Sequence, residues 1–146
     1  MIIIPFRKYD FQIKQENGKT YILDEVRKKY LILSPEEWVR QNFIHYFIYD
    51  LAYPKSKIAV EKEFVLNDRK KRFDLLIFDK NSNPYLLVEC KAQSEALNDK
   101  VLMQGLQYNL HFKVPYMLIS NGNQSYAWKL SEEGLENLKE LPKYSE

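Results

Sequence analysis

The chain is poor in the residues that cross-link or punctuate a polypeptide: one cysteine, four glycines and six prolines in 146 positions. A lone thiol, Cys90, forms no internal disulfide, which excludes a disulfide-stapled scaffold and favours a reducing compartment. So little Gly and Pro excludes collagen-like and linker-rich classes. No apolar run approaches the about 18 residues of a membrane span. The opening Met1–Asp10 segment has too short an apolar run for a signal peptide and no small-residue cleavage site. Charge of one sign is also missing: 22 Lys and Arg face 20 Asp and Glu, so the net +2 announces no polyanion partner. With 11 Tyr and 8 Phe the chain is too aromatic for a disordered segment. A soluble, cytoplasmic single domain spanning residues 1–146 is expected.

Periodicity supplies the elements. Phe11–Lys14 and Thr20–Leu23 flank Asn17-Gly18, a pair suited to the positive φ of a hairpin turn, and Lys29–Leu33 reads as a third strand. These make residues 1–33 an N-terminal β extension. Ser34, Pro35 and Glu37 form a helix start with a Ser-x-x-Glu capping box. Val39, Phe43, Ile44, Phe47, Ile48 and Leu51 then recur at helical spacing until Tyr53-Pro54. Strands are expected at Ile58–Leu66, Phe73–Phe78 and Tyr85–Lys91, with Asn67-Asp68 and Asn81–Pro84 as turns. A second helix from about Glu95 to Phe112, strands Tyr116–Ser120 and Ser125–Leu130, and a helix over Ser131–Leu141 complete the order. The fold class is α/β, a mixed central sheet flanked by helices.

Chemistry concentrates between Lys71 and Ala92. Strand alternation sends Glu89 and Lys91 to one face and Cys90 to the other. A hairpin centred on Asn81-Ser82 sets Asp79 opposite Pro84 and, in the same register, Asp74 opposite Glu89. Directly opposed side chains share a face, with Cβ atoms about 4.5–5.5 Å apart. Two adjacent carboxylates repel and raise one another's pKa. A hard dication such as Mg²⁺, or Mn²⁺ in its place, relieves that repulsion and can polarise a phosphoryl oxygen. Lys91 would orient the nucleophile or stabilise developing phosphate charge. A solvated Asp-Glu-Lys salt bridge is the competing reading, against which stand the apolar runs Leu75–Phe78 and Leu86–Val88.

At these residues the sequence resembles the PD-(D/E)XK nuclease superfamily, and more closely the stand-alone relatives of the N-terminal nuclease domain of type I restriction enzyme R subunits. The resemblance covers residues 34–130 and is carried by the segments 34–41, 71–74 (Lys-Arg-Phe-Asp), 88–92 (Val-Glu-Cys-Lys-Ala), Gln104-x-x-x-Tyr108 and 119–122. It implies a restriction-endonuclease-like α-β-β-β-α-β core and a Mg²⁺-dependent deoxyribonuclease. Asp74 and Glu89 match the metal-binding carboxylates, the main-chain carbonyl of Cys90 a further ligand, and Lys91 the catalytic lysine. Phe73 stands where the superfamily's motif has proline. A first-helix glutamate completes such sites; Glu37 is chosen over Glu36, with the capping box as its other explanation. The resemblance also implies that Gln104 and Tyr108, one helical turn apart, support the site or contact nucleic-acid backbone. The sequence holds no helicase motor, so ATP-driven translocation is not expected.

The run Arg69–Arg72 reads either as a phosphate-holding element, with Lys71 and Arg72 nearest Asp74, or as a solvated turn. Arg27–Lys29 reads as surface, and Arg40 and Gln41 as possible braces for Glu37. His45 and His111 lack zinc-ligand spacing and read as helix-surface or partly buried. No Gly-rich phosphate loop or serine nucleophile elbow occurs. Two alternatives to a DNA nuclease stay open: a catalytically inactive nucleic-acid-binding module, and a protein-interaction module pairing with a partner subunit or second copy through the N-terminal β extension.

Overall fold

The computed structural model describes residues 1–66 and 68–145, without the side chains of Phe64, Leu66, Arg69 and His111. Asn67 of the expected turn and the placement of the His111 ring therefore lie outside the described residues. Strands β1 (Ile13–Glu16), β2 (Lys19–Asp24) and β3 (Lys29–Ile32) form a three-stranded antiparallel sheet, turning at Asn17 and Gly18 with φ of 52° and 74°. Helix α1 (Pro35–His45) follows, then a π-helical turn over Tyr46–Asp50. The apolar stripe read through Leu51 is thus α-helical only to His45. Beyond it the Leu51 N–H reaches back five residues to the Tyr46 carbonyl at 3.1 Å.

The central sheet has six strands in the order β11 (Gly134–Asn137), β10 (Ser125–Ser131), β9 (Tyr116–Ser120), β8 (Pro84–Cys90), β7 (Leu75–Phe78) and β4 (Ile58–Val60). All neighbours are antiparallel except β8 and β9, whose parallel pairing requires the crossover through α2 (Asp99–Phe112). Both faces of the sheet's middle are covered, so β7, β8 and β9 are apolar on both sides, whereas the edge strand β11 is exposed. Leu75, Ile77, Leu86, Val88, Cys90 and Leu118 pack with Val39 and Phe43 of α1 and Phe47 of the π-helical turn. Leu76, Leu87, Met117 and Ile119 pack on the α2 side with Phe73 and Phe112. Gly105 lets α2 sit close to β9: a Cβ there would lie 2.5 Å from Ile119 Cδ1. Ile22 of the N-terminal sheet is fully buried, and Phe11, just ahead of β1, docks on α1 with its ring 5.0 Å from that of Trp38 and 4.4 Å from that of His45.

Three expected elements differ. The strand Ile58–Leu66 is broken at Glu61, whose φ of 48° bends the chain out of the main sheet. Its second half, β5 (Glu63–Leu66), pairs instead with β6 (Arg69–Arg72), so the basic run is a strand rather than a solvated turn. The expected helix over Ser131–Leu141 is replaced by strand β11, because Gly134, at φ 116°, closes a hairpin on β10. Among the described residues no helix is long and apolar enough to cross a membrane.

Candidate active site

The β7–β8 hairpin pairs Leu75 with Val88, Leu76 with Leu87 and Ile77 with Leu86; the ladder ends there, and Asp74, just before it, and Glu89, just after Val88, lie in electrostatic contact. The tip is one residue tighter than the sequence suggested: Phe78 faces Pro84, with a shift between Ile77 and Phe78. Asp79 accepts the Asn81 and Asn83 amides at 2.9 and 3.0 Å, which organises this turn. The irregularity ends before the acids. Cys90 points into the α1-side core, and its buried side chain leaves Glu89 and Lys91 on the α2 side.

Asp74 is fixed at both oxygens. Its Oδ2 accepts the Cys90 amide at 2.8 Å and its Oδ1 accepts Arg40 Nη2 at 2.8 Å. Arg40 is the hub of an acidic cluster: Nη1 donates to Glu37 Oε1 at 2.7 Å, and Nη2 lies 2.8 Å from Glu61 Oε1 and 3.2 Å from Glu36 Oε1. Glu37 also accepts from Gln41 Nε2 at 3.1 Å and faces Arg27 Nη2 at 3.3 Å. Ser34 Oγ caps the Glu37 N–H at 3.0 Å, but the Glu37 carboxylate turns to the arginines instead of closing the box. Glu36 is the first-helix acid in electrostatic contact with the catalytic candidates: burial and the Asp74 carboxylate raise its pKa, opposed by Arg40 and Lys91. Arg40 and Gln41 do brace Glu37. Arg27 is no idle surface charge, and Glu61 is a member that strand alternation gave no reason to single out.

Below α2 lies a cavity of about 240 Å³ lined by Lys71, Glu89, Lys91, Gln104 and Tyr108 over an apolar floor that includes Leu87, Met117 and Ile119. The structure thereby gathers five of the residues singled out from the sequence. Lys71 Nζ sits 3.7 Å from the centre of the Tyr108 ring, a cation–π contact. Tyr108 is 40% exposed, an accessible wall rather than a core aromatic. Arg72 lies outside this group, exposed and opposite Glu63 on the β5–β6 ribbon. His45 is at the other end of α1, fully buried, and takes no part.

Glu89 has its pKa pushed up to about 7, first by burial and then by the Asp74 carboxylate, against the opposing pull of Lys71 and Lys91. Burial and the neighbouring carboxylate thus both favour the protonated form of Glu89, and a cation placed beside it would oppose them. Among the described residues no group of three or more His, Cys, Asp and Glu side chains converges to hold a metal. Two carboxylates offering only oxygen fit a hard cation that keeps several waters, such as Mg²⁺, and not a fully caged zinc.

A mixed sheet between two helical layers, with acids and a lysine meeting on its central hairpin, is a restriction-endonuclease-like architecture. The family described as "Type I restriction enzyme R protein N terminus" matches residues 35–142, and the chain belongs to it. Among solved structures, the chain is similar to a candidate nuclease of the DUF820 family from Anabaena variabilis ATCC 29413, with a TM-score of 0.50 and 11% identity over 86% of this chain and 75% of that one. That likeness concerns the fold. No curated protein matches.

Proposed function

We propose that the protein is a Mg²⁺-dependent nuclease that hydrolyses DNA phosphodiester bonds. The observation that carries this reading is the contact of the Asp74 and Glu89 carboxylates at the end of the β7–β8 ladder, with Lys91 beside Glu89 on the wall of the cavity. Asp74, Glu89 and the Cys90 carbonyl would hold the ion, with Mn²⁺ able to replace it. Bound there, it would polarise a phosphoryl oxygen and acidify water. Lys91 orients the attacking water and stabilises charge developing on the phosphate. Glu36 is the first-helix carboxylate available to the site, because Glu37 is engaged by Arg27, Arg40 and Gln41. Gln104, Tyr108 and Lys71 contact the strand entering the cavity, and Arg72 meets a more distant phosphate.

The test is cleavage of supercoiled, linear duplex and single-stranded DNA with Mg²⁺ or Mn²⁺. Lys91→Ala should lower the rate at least about 100-fold; a variant as active as the wild type rejects the mechanism. One observation favours the inactive binding module: Arg40 already occupies Asp74 Oδ1. Metal-independent DNA binding without turnover is the signature of that second reading.

A further inference from the structure

We infer that the N-terminal sheet belongs to the catalytic apparatus: Arg40 is the positioning residue of Asp74, and Arg27 with Asp24 holds Arg40 in place through Glu37. The functional half of this inference rests on the nuclease reading. The wiring is continuous. Asp24, at the end of β2 and fully buried, accepts the Val26 and Arg27 amides on Oδ1 at 2.8 and 2.7 Å. Its Oδ2 accepts Arg27 Nε at 2.8 Å and Gln41 Nε2 at 2.9 Å. Those same two side chains reach Glu37, with Arg27 Nη2 at 3.3 Å and Gln41 Nε2 at 3.1 Å. Glu37 in turn takes Arg40 Nη1 at 2.7 Å, and the other arm of that guanidinium takes Asp74 at 2.8 Å. Three elements remote in sequence are thus joined by charge-assisted bonds that end on one oxygen of one acid.

Two physical arguments say that this chain fixes position rather than merely adding adhesion. A buried ion network is a poor source of net stability, because desolvation consumes most of its Coulombic gain. What a planar guanidinium forked between two carboxylates does supply is direction. The backbone beside Asp74 is bracketed as well. Glu61 donates its N–H to the Asp74 carbonyl at 3.0 Å while its carboxylate lies 2.8 Å from Arg40 Nη2. It does so from a left-handed conformation, φ 48°, that costs a non-glycine residue energy. A carboxylate that must hold a metal within about 0.5 Å needs such support.

The experiment uses the full chain with Arg27→Gln, which cuts the wire two contacts away from Asp74, and with Arg7→Gln as control. Arg7 pairs with Asp50 on the surface, outside the network. Two readouts are taken: steady-state DNA cleavage, and the NMR resonance and hydrogen exchange of the Cys90 amide, which bonds Asp74 Oδ2. Arg27→Gln should lower kcat about 10-fold with KM held within about twofold, and should shift the Cys90 amide and speed its exchange. Arg7→Gln should change neither. An unchanged kcat, or a Cys90 amide that stays in place, overturns the inference. If Arg27→Gln does not fold, Asp24→Asn is read by the same two criteria. If the wild type cleaves nothing with any metal, the nuclease reading fails, and the Cys90 amide alone still decides whether Arg27 governs Asp74.

Discussion

The heaviest structural consequence of the buried network falls on Asp24, and Asp24→Ala tests it directly. The carboxylate is fully buried and accepts four hydrogen bonds, from the Val26 amide, the Arg27 amide, Arg27 Nε and Gln41 Nε2. Burial alone would raise its pKa, but the bonds from the Arg27 amide, Gln41 and the Arg27 side chain hold it below the ordinary carboxylate value. Truncation strands those donors. The two turn amides are only part-buried and can find water, and Arg27 retains Glu37, so the loss is less than four full desolvation penalties. Removing one member of a buried ion pair costs about 3–5 kcal/mol. With a urea dependence of about 2 kcal/mol per M, the midpoint should drop by about 1.5–2.5 M. Asp24→Asn keeps an acceptor for the turn amides and should lose less.

Urea unfolding followed by tryptophan fluorescence and far-UV circular dichroism measures this, and the sign of the pH dependence adds a second check. A carboxyl whose native pKa is lowered contributes stability above its ordinary range that is lost as pH falls through the native value. Asp24→Ala should therefore show a flatter acid limb than the wild type. A destabilisation below about 1 kcal/mol, typical of a surface substitution, would mean that the buried Asp24 bonds do not hold this region together.

Gly105→Ala should destabilise by about 1 kcal/mol, because overpacking against Ile119 Cδ1 and Met117 Cε, 2.5 and 3.1 Å from the new Cβ, outweighs the helix gain. Ile119→Val in the same background should recover the loss, and a more stable single variant in thermal unfolding would contradict the packing described. His45 is buried with neither ring nitrogen hydrogen-bonded, and burial lowers its pKa. The unfolded chain then binds a proton below about 6.5 that the native state refuses, so stability present above that pH is lost as pH falls from there toward the lowered native value. His45→Phe should remove this dependence from urea midpoints measured between pH 7.5 and pH 5.5; equal slopes in both proteins would argue against a neutral buried imidazole.

The parts of the site that were legible in the sequence are those set by local rules. Alternation separated Cys90 from Glu89 and Lys91, and the apolar pairing of Leu75–Ile77 with Leu86–Val88 fixed the register at whose end Asp74 and Glu89 meet. The turn chemistry of Asp79–Pro84 predicts a tip one residue wider than the one that forms, and the shift at Ile77/Phe78 confines the difference to the hairpin tip. Helical spacing likewise brought Gln104 and Tyr108 to one cavity. Local rules fail where a backbone exception or a long-range partner decides. Nothing local in Glu61-Lys62-Glu63 marks the left-handed turn at Glu61, beyond which β5 leaves the main sheet and pairs with the basic segment. Gly134 outweighed the leucine spacing of the tail because a hairpin on β10 satisfies backbone groups that a short helix would leave to solvent.

The acids of α1 show the same division of labour at finer scale. Ser34, Pro35 and Glu37 match a helix start, and the cap forms, but through the Glu37 amide alone. The carboxylate that would have closed the box faces two arginines instead, since a charge-assisted bond in a buried setting is stronger than a bond to an exposed amide. That choice leaves Glu36, the partly exposed neighbour, as the acid beside Asp74. One residue of helical phase separates the two, so spacing alone admits either. Arg40 and Gln41 draw Glu37 aside from within the helix, and Arg27, delivered from the β2–β3 turn of a sheet that reads in the sequence as an appendage, adds a third donor. The engagement of Glu37 is therefore a tertiary property as well as a helical one, shared between Arg40 and Gln41 of its own helix and the strand layer packed behind it.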